Sequence, residues 1–257
     1  MEPIHCIRPG DPGYPDGLDA VARLRGRPLP TLWCQGSPPT RCVGLAVVGP
    51  RRPSRDAERW VEREIPKLVA AGVTIWSGGA LGIDGAAHRA TVAAGGVTAV
   101  VTCGALDDPY PPAHAALYRE VLATGGAVLT ESHLEPRQNY QFLKRNHLLV
   151  ALSDALLAVE SKHDGGTRHS IDTARKLGRP LLIVPGAPWT KTGLGCAQQL
   201  ARGGVTAVTS AQDILAALEG LAQRGMIVRP ARVRGGERVE NVVAAPIELL
   251  PVVPTAP

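Results

Sequence analysis

Short apolar runs alternate with longer amphipathic stretches throughout residues 41–220. The runs are rich in Val and Leu and do not alternate with polar residues, which is typical of parallel strands buried on both faces. The stretches between them, of about 10 to 16 residues, have helical periodicity and often end at a glycine. We predict strands at 45–48, 73–76, 97–102, 127–130, 155–159, 181–184 and 205–208, and helices at 57–71, 83–94, 113–123, 142–153, 168–177, 195–202 and 214–218.

This regular alternation predicts an α/β fold with an extended Rossmann-like, doubly wound and mostly parallel sheet. Residues 1–40 are rich in proline, with one short helix predicted at 18–24, and we interpret them as a cap that packs on the main domain. Residues 221–257 contain five Pro and five Arg and little helical periodicity. A small β element, a docking arm and disorder are all compatible with this irregular C-terminal tail. The predicted organisation is therefore cap 1–40, Rossmann-like domain 41–220 and tail 221–257.

The composition excludes several classes of function. The 257 residues include 28 Lys+Arg against 23 Asp+Glu, for a formal charge of +5, and 44% are hydrophobic, which is ordinary for a globular protein. Five scattered cysteines without a CxxC pair argue against a zinc site or a disulfide scaffold. Neither a membrane-spanning apolar stretch nor a secretory signal is visible. We expect a cytoplasmic protein with no metal, no cofactor and no membrane contact.

In such a sheet, ligands bind at the carboxyl ends of the strands, where helix N-termini present free N–H groups. The first candidate junction is VGPRRPS at 48–54, where Gly49 allows a turn directly after a strand. Arg51 and Arg52 follow at positions suited to hold a phosphate, and Ser54 is a candidate N-cap. The alternative is an ordinary strand-to-helix turn with two solvated arginines.

The second junction is glycine-rich, SGGALGID at 77–84. Ser77, Gly78 and Gly79 are candidates for close approach to a phosphate because glycine backbones leave space for a ligand. The segment matches neither GxGxxG nor GxxxxGK[ST], so a nicotinamide or ATP site is not predicted. Asp84 and His88 are four residues apart on one helix face, and we interpret them as a structural hydrogen-bonded pair.

The third segment, residues 136–153, has no acidic residue. Phe142, the one phenylalanine of the chain, precedes Lys144, Arg145 and Asn146. Aromatic and cationic side chains together suit single-stranded nucleic acid, in which bases stack and phosphates pair with cations. The alternative is that Phe142 only anchors the helix to the core.

The fourth junction is DGGTR at 164–168, after the strand at 155–159. Its glycines and a threonine as N-cap form a helix start that accepts anions. Lys191, after a proline turn at 184–188, is a further candidate at the same edge of the sheet. The candidate binding residues of this junction are Gly165, Gly166, Thr167 and Arg168.

Together these segments resemble the DprA/Smf family of DNA-processing proteins. Separately each motif is weak, but their order and spacing agree over about residues 40–210. The matching segments are VGPRRPS at 48–54, SGGALGIDGAAHRA at 77–90, DDPYPP at 107–112, TE at 130–131, FLKRNH at 142–147 and VPG at 184–186.

The resemblance implies an extended Rossmann fold that binds single-stranded DNA, loads the recombinase RecA onto it and serves natural transformation, without established catalytic activity. Carried over by position, Arg51, Ser54, Phe142, Lys144 and Arg145 would line the DNA pocket. We expect single-stranded DNA to be preferred over duplex.

Some positions depart from the family pattern. Pro50 stands where the family has a small polar residue, and Gly79 and Leu81 replace a Leu and an Arg. His147 replaces the final Arg of the Arg-Asn-Arg motif that the family has at the positions of residues 145–147. Several of these changes lower the local positive charge, so we expect weaker DNA binding.

The resemblance also implies a homodimer through the last helices of the domain, with a RecA contact on an overlapping surface. We place this surface at 194–218, where more apolar side chains occur than one helix layer requires. Coverage by the tail is the alternative. The apolar residues of this surface are Leu194, Leu200, Ile214, Leu215 and Leu218.

Two other functions would fit the broad superfamily to which the DprA/Smf family belongs. A nucleoside-monophosphate phosphoribohydrolase carries a glycine loop followed by a carboxylate that stabilises oxocarbenium charge. Residues 164–170 echo that loop, but the carboxylate is missing from the helix start, and Asp172 is the nearest candidate. A nucleotide-binding sensor without turnover is the third interpretation. We expect binding without catalysis.

Overall fold

The computed structural model describes residues 2–39 and 43–227. The strands are β1 (His5–Ile7), β2 (Leu32–Gly36), β3 (Gly44–Val48), β4 (Thr74–Ser77), β5 (Thr98–Val101), β6 (Ala127–Thr130), β7 (Ala155–Ala158), β8 (Leu181–Ile183) and β9 (Thr206–Ala207). The α-helices are α1 (Leu18–Arg25), α2 (Arg55–Ala70), α3 (Ile83–Ala93), α4 (Ala115–Ala123), α5 (Asn139–Leu152), α6 (Gly166–Lys176), α7 (Leu194–Arg202) and α8 (Ala211–Gln223), and a 3₁₀ turn at Pro112–His114 precedes α4.

Within the described residues the strands form one sheet in the order β1-β2-β6-β5-β4-β3-β7-β8-β9. Neighbouring strands from β6 to β9 pair in parallel, and β1 and β2 are antiparallel. The chain moves outward from β3 through β4 and β5 to β6, and then continues with β7 on the other side of β3. The strand order therefore reverses between β3 and β7, which is the place where doubly wound sheets bind ligands. The predicted α/β, doubly wound, mostly parallel architecture is confirmed.

The proline-rich N-terminal region contributes strands as well as the predicted short helix. β1 pairs with β2, and β2 continues the sheet by pairing antiparallel with β6. These strands have three and five residues and lack an apolar run, so the sequence pattern did not reveal them. α1 packs against α5, so the region covers the face of the sheet to which α5 belongs.

The central strands are buried on both faces, which explains their uninterrupted apolar runs. In β3, Leu45 and Val47 pack into one core cluster, whereas Ala46 and Val48 pack into the cluster on the other side of the sheet. The predicted buried strand at 205–208 is wrong in this respect, because β9 is a two-residue edge strand with both residues exposed. An edge strand has one strand neighbour and less cover.

Glycines follow the helices as predicted. Gly72 and Gly95 each come one residue after the C-cap of α2 and α3, with φ angles of 79° and 69°. These are left-handed conformations that glycine adopts at low cost. Gly125 and Gly178 do the same after α4 and α6.

The predicted interface surface at 194–218 is not an exposed apolar patch. Ile214, Leu215 and Leu218 of α8 are buried in the core cluster that contains α2, and Leu200 is partly buried against the opposite cluster. α8 is longer than predicted and extends beyond 220, and its apolar side is covered within the domain. Residues 221–227, predicted as tail, complete this helix and the following turn, and residues 228–257 of the predicted tail lie outside the described residues.

Within the described part of the chain, no helix combines the length and the apolar character needed to cross a membrane.

Candidate functional site

A cleft of about 560 Å³ opens at the point where the strand order reverses. The turn after β3 forms one wall, the loop after β7 forms another, and the first turns of α5 lie between them. The residues predicted from sequence that line it are Gly49, Arg51, Arg52, Phe142, Arg145, Asn146, Gly165, Gly166 and Thr167, together with Asp84. Four separate stretches of sequence therefore meet at one site.

The turn after β3 presents two arginines. Arg51 and Arg52 are exposed and line the cleft, and the Arg51 guanidinium lies 5.1 Å from the centroid of the Phe142 ring. The Ser54 side chain accepts a hydrogen bond from the Ala57 N–H at 3.1 Å, so it caps α2 as predicted and does not line the cleft. The lack of a side chain at Gly49 admits Ile83, because a Cβ there would overlap the Ile83 side chain.

The glycine-rich segment after β4 packs closely against protein side chains. Ser77 is buried and donates a hydrogen bond to the Val47 carbonyl at 2.6 Å. A Cβ at Gly78 would overlap the Arg145 guanidinium, and a Cβ at Gly79 would overlap the Tyr118 hydroxyl. The space beside these two glycines is thus occupied by side chains of the protein, and their prediction as phosphate ligands stays a prediction.

Asp84 pairs with Arg145, not with His88. The carboxylate lies 3.7 Å from the Arg145 guanidinium, and both side chains are buried. His88 bonds through Nδ1 to the Thr98 hydroxyl at 2.8 Å instead. Burial raises the pKa of Asp84 above its usual value, and the guanidinium limits that rise. Burial, with the neighbouring His114 and Arg145, lowers the pKa of His88 to about 3, so His88 is neutral and structural.

The start of α5 supplies the aromatic component of the cleft. Gln138 and Gln141 form a capping box, so the helix begins at Asn139, three residues earlier than predicted. Phe142 is half-buried on the first turns, and its ring lies 5.5 Å from that of Tyr110. Asn146 lines the cleft and donates a hydrogen bond to the Gly166 carbonyl at 3.4 Å.

Two of the predicted cations contact other groups of the protein. Arg145 is paired with Asp84 on its floor. Lys144 lies 5.0 Å from the centroid of the Tyr140 ring and lines a smaller cleft of about 250 Å³ on the other side of α5. Adjacent residues on a helix point in different directions, so the acid-free run divides between two clefts.

The loop after β7 provides the open helix N-terminus. α6 begins at Gly166 with Gly165 as its N-cap, and no atom lies within 4 Å of a Cβ placed on either glycine. Thr167 is buried in the first turn and is not the N-cap, which corrects the prediction. The free N–H groups at this end and the positive end of the helix dipole favour an anion.

The other predicted cations at this edge lie outside the cleft. Arg168 is paired with Asp172 at 3.0 Å, four residues along α6, and Lys191 is exposed but does not line the cleft. Lys162 does line it, opposite the arginine turn. Lys162 was not among the binding residues predicted from the sequence, although its place three residues before the glycine pair was a usable signal.

The cleft thus combines exposed cations, an open helix N-terminus and an aromatic ring. Arg51, Arg52 and Lys162 are opposed by one exposed carboxylate, Asp164, since Asp84 is paired with Arg145. In the described residues, no cluster of His, Cys, Asp or Glu is arranged to hold a metal ion. The arrangement can bind an extended phosphate-bearing ligand and stack a planar group.

Comparison with known proteins gives consistent matches. The model of the family described as DNA recombination-mediator protein A matches residues 5–219. The Smf protein of Escherichia coli is 34% identical over 221 residues, which cover 85% of this chain and 58% of the relative. The chain spans little more than half the length of the curated relatives that it matches.

Two solved structures agree with the fold. DNA processing protein A from Streptococcus pneumoniae superposes with a TM-score of 0.72 at 30% identity, over 83% of this chain and 74% of that one. The protein of the same name from Helicobacter pylori gives a TM-score of 0.72 at 24% identity, over 84% of this chain and 96% of that one, a likeness in fold.

Proposed function

This chain belongs to the family of DNA recombination-mediator protein A, the DprA/Smf family that its motifs resemble, and on that premise we propose that its cleft binds single-stranded DNA. The Helicobacter pylori neighbour has a described single-stranded DNA binding mode. For this chain, the proposal rests on the chemistry of its own cleft.

The observation that carries the proposal is the placement of Phe142 beside Arg51, facing the open N-terminus of α6. A base stacks on an aromatic ring, and cations and free N–H groups hold the adjoining phosphates. Duplex DNA keeps its bases stacked on each other, so a ring in a cleft favours a single strand. Asp84 and Arg145 form a buried ion pair, and both line the bottom of the cleft.

Partners follow from the family and not from the cleft. We propose a cytoplasmic protein that protects single-stranded DNA and loads RecA in DNA uptake or recombination, and that forms a homodimer. The buried side of α8 is not the surface for either contact. Light scattering of the full chain measures the oligomeric state, and a monomer at all concentrations contradicts the dimer.

The residues of the site favour binding without catalysis over phosphoribohydrolase activity. Asp172, the first carboxylate that follows the start of α6 in sequence, pairs with Arg168 and Arg202 and does not line the cleft. A nucleotide sensor would use the same anion site. Nucleoside-monophosphate hydrolysis should be assayed beside binding, and release of the free base would contradict the proposal.

Arg51→Ala tests the proposal directly, because Arg51 is exposed at a turn suited to phosphate. We expect weaker binding of a fluorescent single strand, with little dependence on its sequence. The slope of log affinity against log salt concentration should fall by about 0.7 for one lost phosphate contact.

The matched control is Arg59→Ala, which removes an exposed arginine of α2 that does not line the cleft. Its salt slope should equal that of the unmodified protein. Tighter binding of duplex than of single strand, or an unchanged slope in Arg51→Ala, would contradict the proposed site.

A further inference from the structure

Trp189 is more exposed than any other large apolar side chain in the described residues, at 86%. It contributes to none of the core clusters. Hydration of so large an apolar ring is unfavourable, and packing of the fold does not explain the residue. Exposed aromatic rings with a polar edge are typical of binding surfaces.

The loop that carries Trp189 lies at the same edge of the sheet as the cleft. It connects β8, which ends at Ile183, to α7, which begins at Leu194. β8 pairs in parallel with β7, so the two strands lie roughly 4.8 Å apart and their carboxyl ends point the same way. The loop after β8 therefore stands beside the loop after β7, which is a wall of the cleft.

Hydrogen bonds join these loops into one rim. The Ser161 N–H donates to the Thr192 carbonyl and the Gly195 N–H donates to the Ser161 carbonyl, both at 2.8 Å. The carboxylate of Glu160 accepts from the Thr192 hydroxyl and from the Ser54 N–H, both at 3.0 Å. Glu160 thus connects the arginine turn after β3 to the loop that carries Trp189.

The turn around Trp189 is closed by its own hydrogen bonds. The Thr190 hydroxyl donates to the Ala187 carbonyl at 2.9 Å and accepts from the Gly193 N–H at 3.0 Å. A fixed turn lowers the conformational entropy that binding must overcome. Lys191, two residues after the ring, is exposed beside it.

We propose that Trp189 is a second stacking platform, which takes a base of the single strand after the strand leaves the cleft past Lys162, with Lys191 placed for an adjoining phosphate. This inference rests on the proposed function and extends its site from the cleft to the loop after β8. Stacking tolerates every base because each has a π face, so the platform lengthens the bound segment without adding sequence preference.

The affinity test uses Trp189→Ala and Trp189→Phe in the full chain, with homothymidine oligonucleotides of increasing length. For long oligonucleotides we expect Trp189→Ala to bind about five- to 150-fold more weakly, the range for one lost stacked base. Trp189→Phe should recover most of this loss because it keeps a ring. The shortest oligonucleotide that still binds should have the same affinity for all three proteins, since it occupies the cleft alone.

Met226→Ala is the matched control, because Met226 is an exposed apolar residue after α8, away from the rim. It should leave affinity unchanged at every length. Tryptophan fluorescence gives an independent readout. The emission that the unmodified protein has and Trp189→Phe lacks should be quenched by acrylamide in the free protein and shielded from acrylamide when a long oligonucleotide is bound.

The outcomes separate the two proposals. If the unmodified protein binds no single-stranded DNA, the proposed function fails and the platform with it. If it binds but Trp189→Ala matches it at every length, or the loss is the same for short and long oligonucleotides, the cleft stands and the platform is overturned. Acrylamide access to Trp189 that long DNA leaves unchanged, as expected of a ring reserved for a protein partner, also overturns it.

Discussion

Phe142 is the chain's one phenylalanine, and its ring contacts both Tyr110 and the Arg51 guanidinium. The sequence left open whether this ring stacks a base or only anchors α5. The structure places it in the cleft, half-buried, with one part of the ring packed on protein. This position is compatible with both interpretations, and substitution can separate them.

Phe142→Ala should weaken binding of single-stranded DNA by roughly 1–3 kcal/mol if one base stacks on the ring. Phe142→Leu is the comparison, because leucine retains apolar contact with Tyr110 but offers no π face. Titration of a fluorescent oligonucleotide measures both variants. We expect Phe142→Leu to lose nearly as much affinity as Phe142→Ala while it keeps more of the stability, and full affinity in either variant would exclude stacking.

Asp84 and Arg145 support the cleft from below. Asp84→Asn leaves a buried guanidinium without its carboxylate, a change that costs about 3–5 kcal/mol of unfolding free energy. Urea denaturation at neutral pH measures the loss. Asp56→Asn is the control, since the Asp56 side chain is 95% exposed and its ion pair with Arg59 is long, at 4.0 Å. Equal stability of the two variants would show that the buried pair is not needed.

At the level of helices, one carboxylate joins α2 to α8. Glu64 is buried on α2, and its Oε2 accepts a hydrogen bond from the Ala211 N–H at the start of α8 at 2.9 Å. Burial acts to raise the pKa of Glu64, but the Ala211 N–H and the side chains of Arg63 and Lys67 outweigh it, so the pKa lies below its usual value. The charged form is thus favoured by the fold.

Glu64→Gln should lower the unfolding free energy at pH 7 by about 1.5–3 kcal/mol, the range for hydrogen bonds to a charged group. A lowered pKa gives stability that is complete above the unfolded-state value of about 4.3 and is lost as the pH falls through the folded-state value. The difference between variant and unmodified protein should therefore shrink toward pH 3 in urea titrations. Glu62→Gln, exposed on the same helix, should show no difference at either pH.

The sequence pattern placed the end of the folded domain at 220, but α8 continues to Gln223. Leu221 and Ile227 are both buried in the cluster that joins α8 to the sheet. A chain that ends at Gly220 should be less stable than one that ends at Ile227 by at least the roughly 2–5 kcal/mol of one buried aliphatic side chain. Urea denaturation of the two truncations measures the difference. Leu221→Ala in the full chain should reproduce part of this loss of stability. Equal unfolding free energies of the two truncated chains would place the boundary at 220.

The central strands, their parallel arrangement and the edge of the sheet that carries the candidate site could all be predicted from the sequence. Strands buried on both faces need continuous apolar residues, and glycines end helices because they adopt positive φ. Both features can therefore be recognised in short stretches of sequence. Motifs after β3, after β7 and at the start of α5 also predicted the cleft, since the carboxyl ends of parallel strands share one edge. The short strands β1 and β2 were not predictable, because pairing with β6 stabilises them more than their own residues do.

Which candidate side chains are free of ion pairs within the protein could be read only from the folded structure. Arg145 was predicted as a phosphate ligand, but Gly78 leaves a space that its guanidinium fills, and Asp84 compensates its charge there. Arg168 likewise pairs with Asp172. Trp189 becomes notable only through its exposure and its neighbours. A local pattern records the type and spacing of residues, whereas the direction of a side chain and its partner depend on what other elements pack against it.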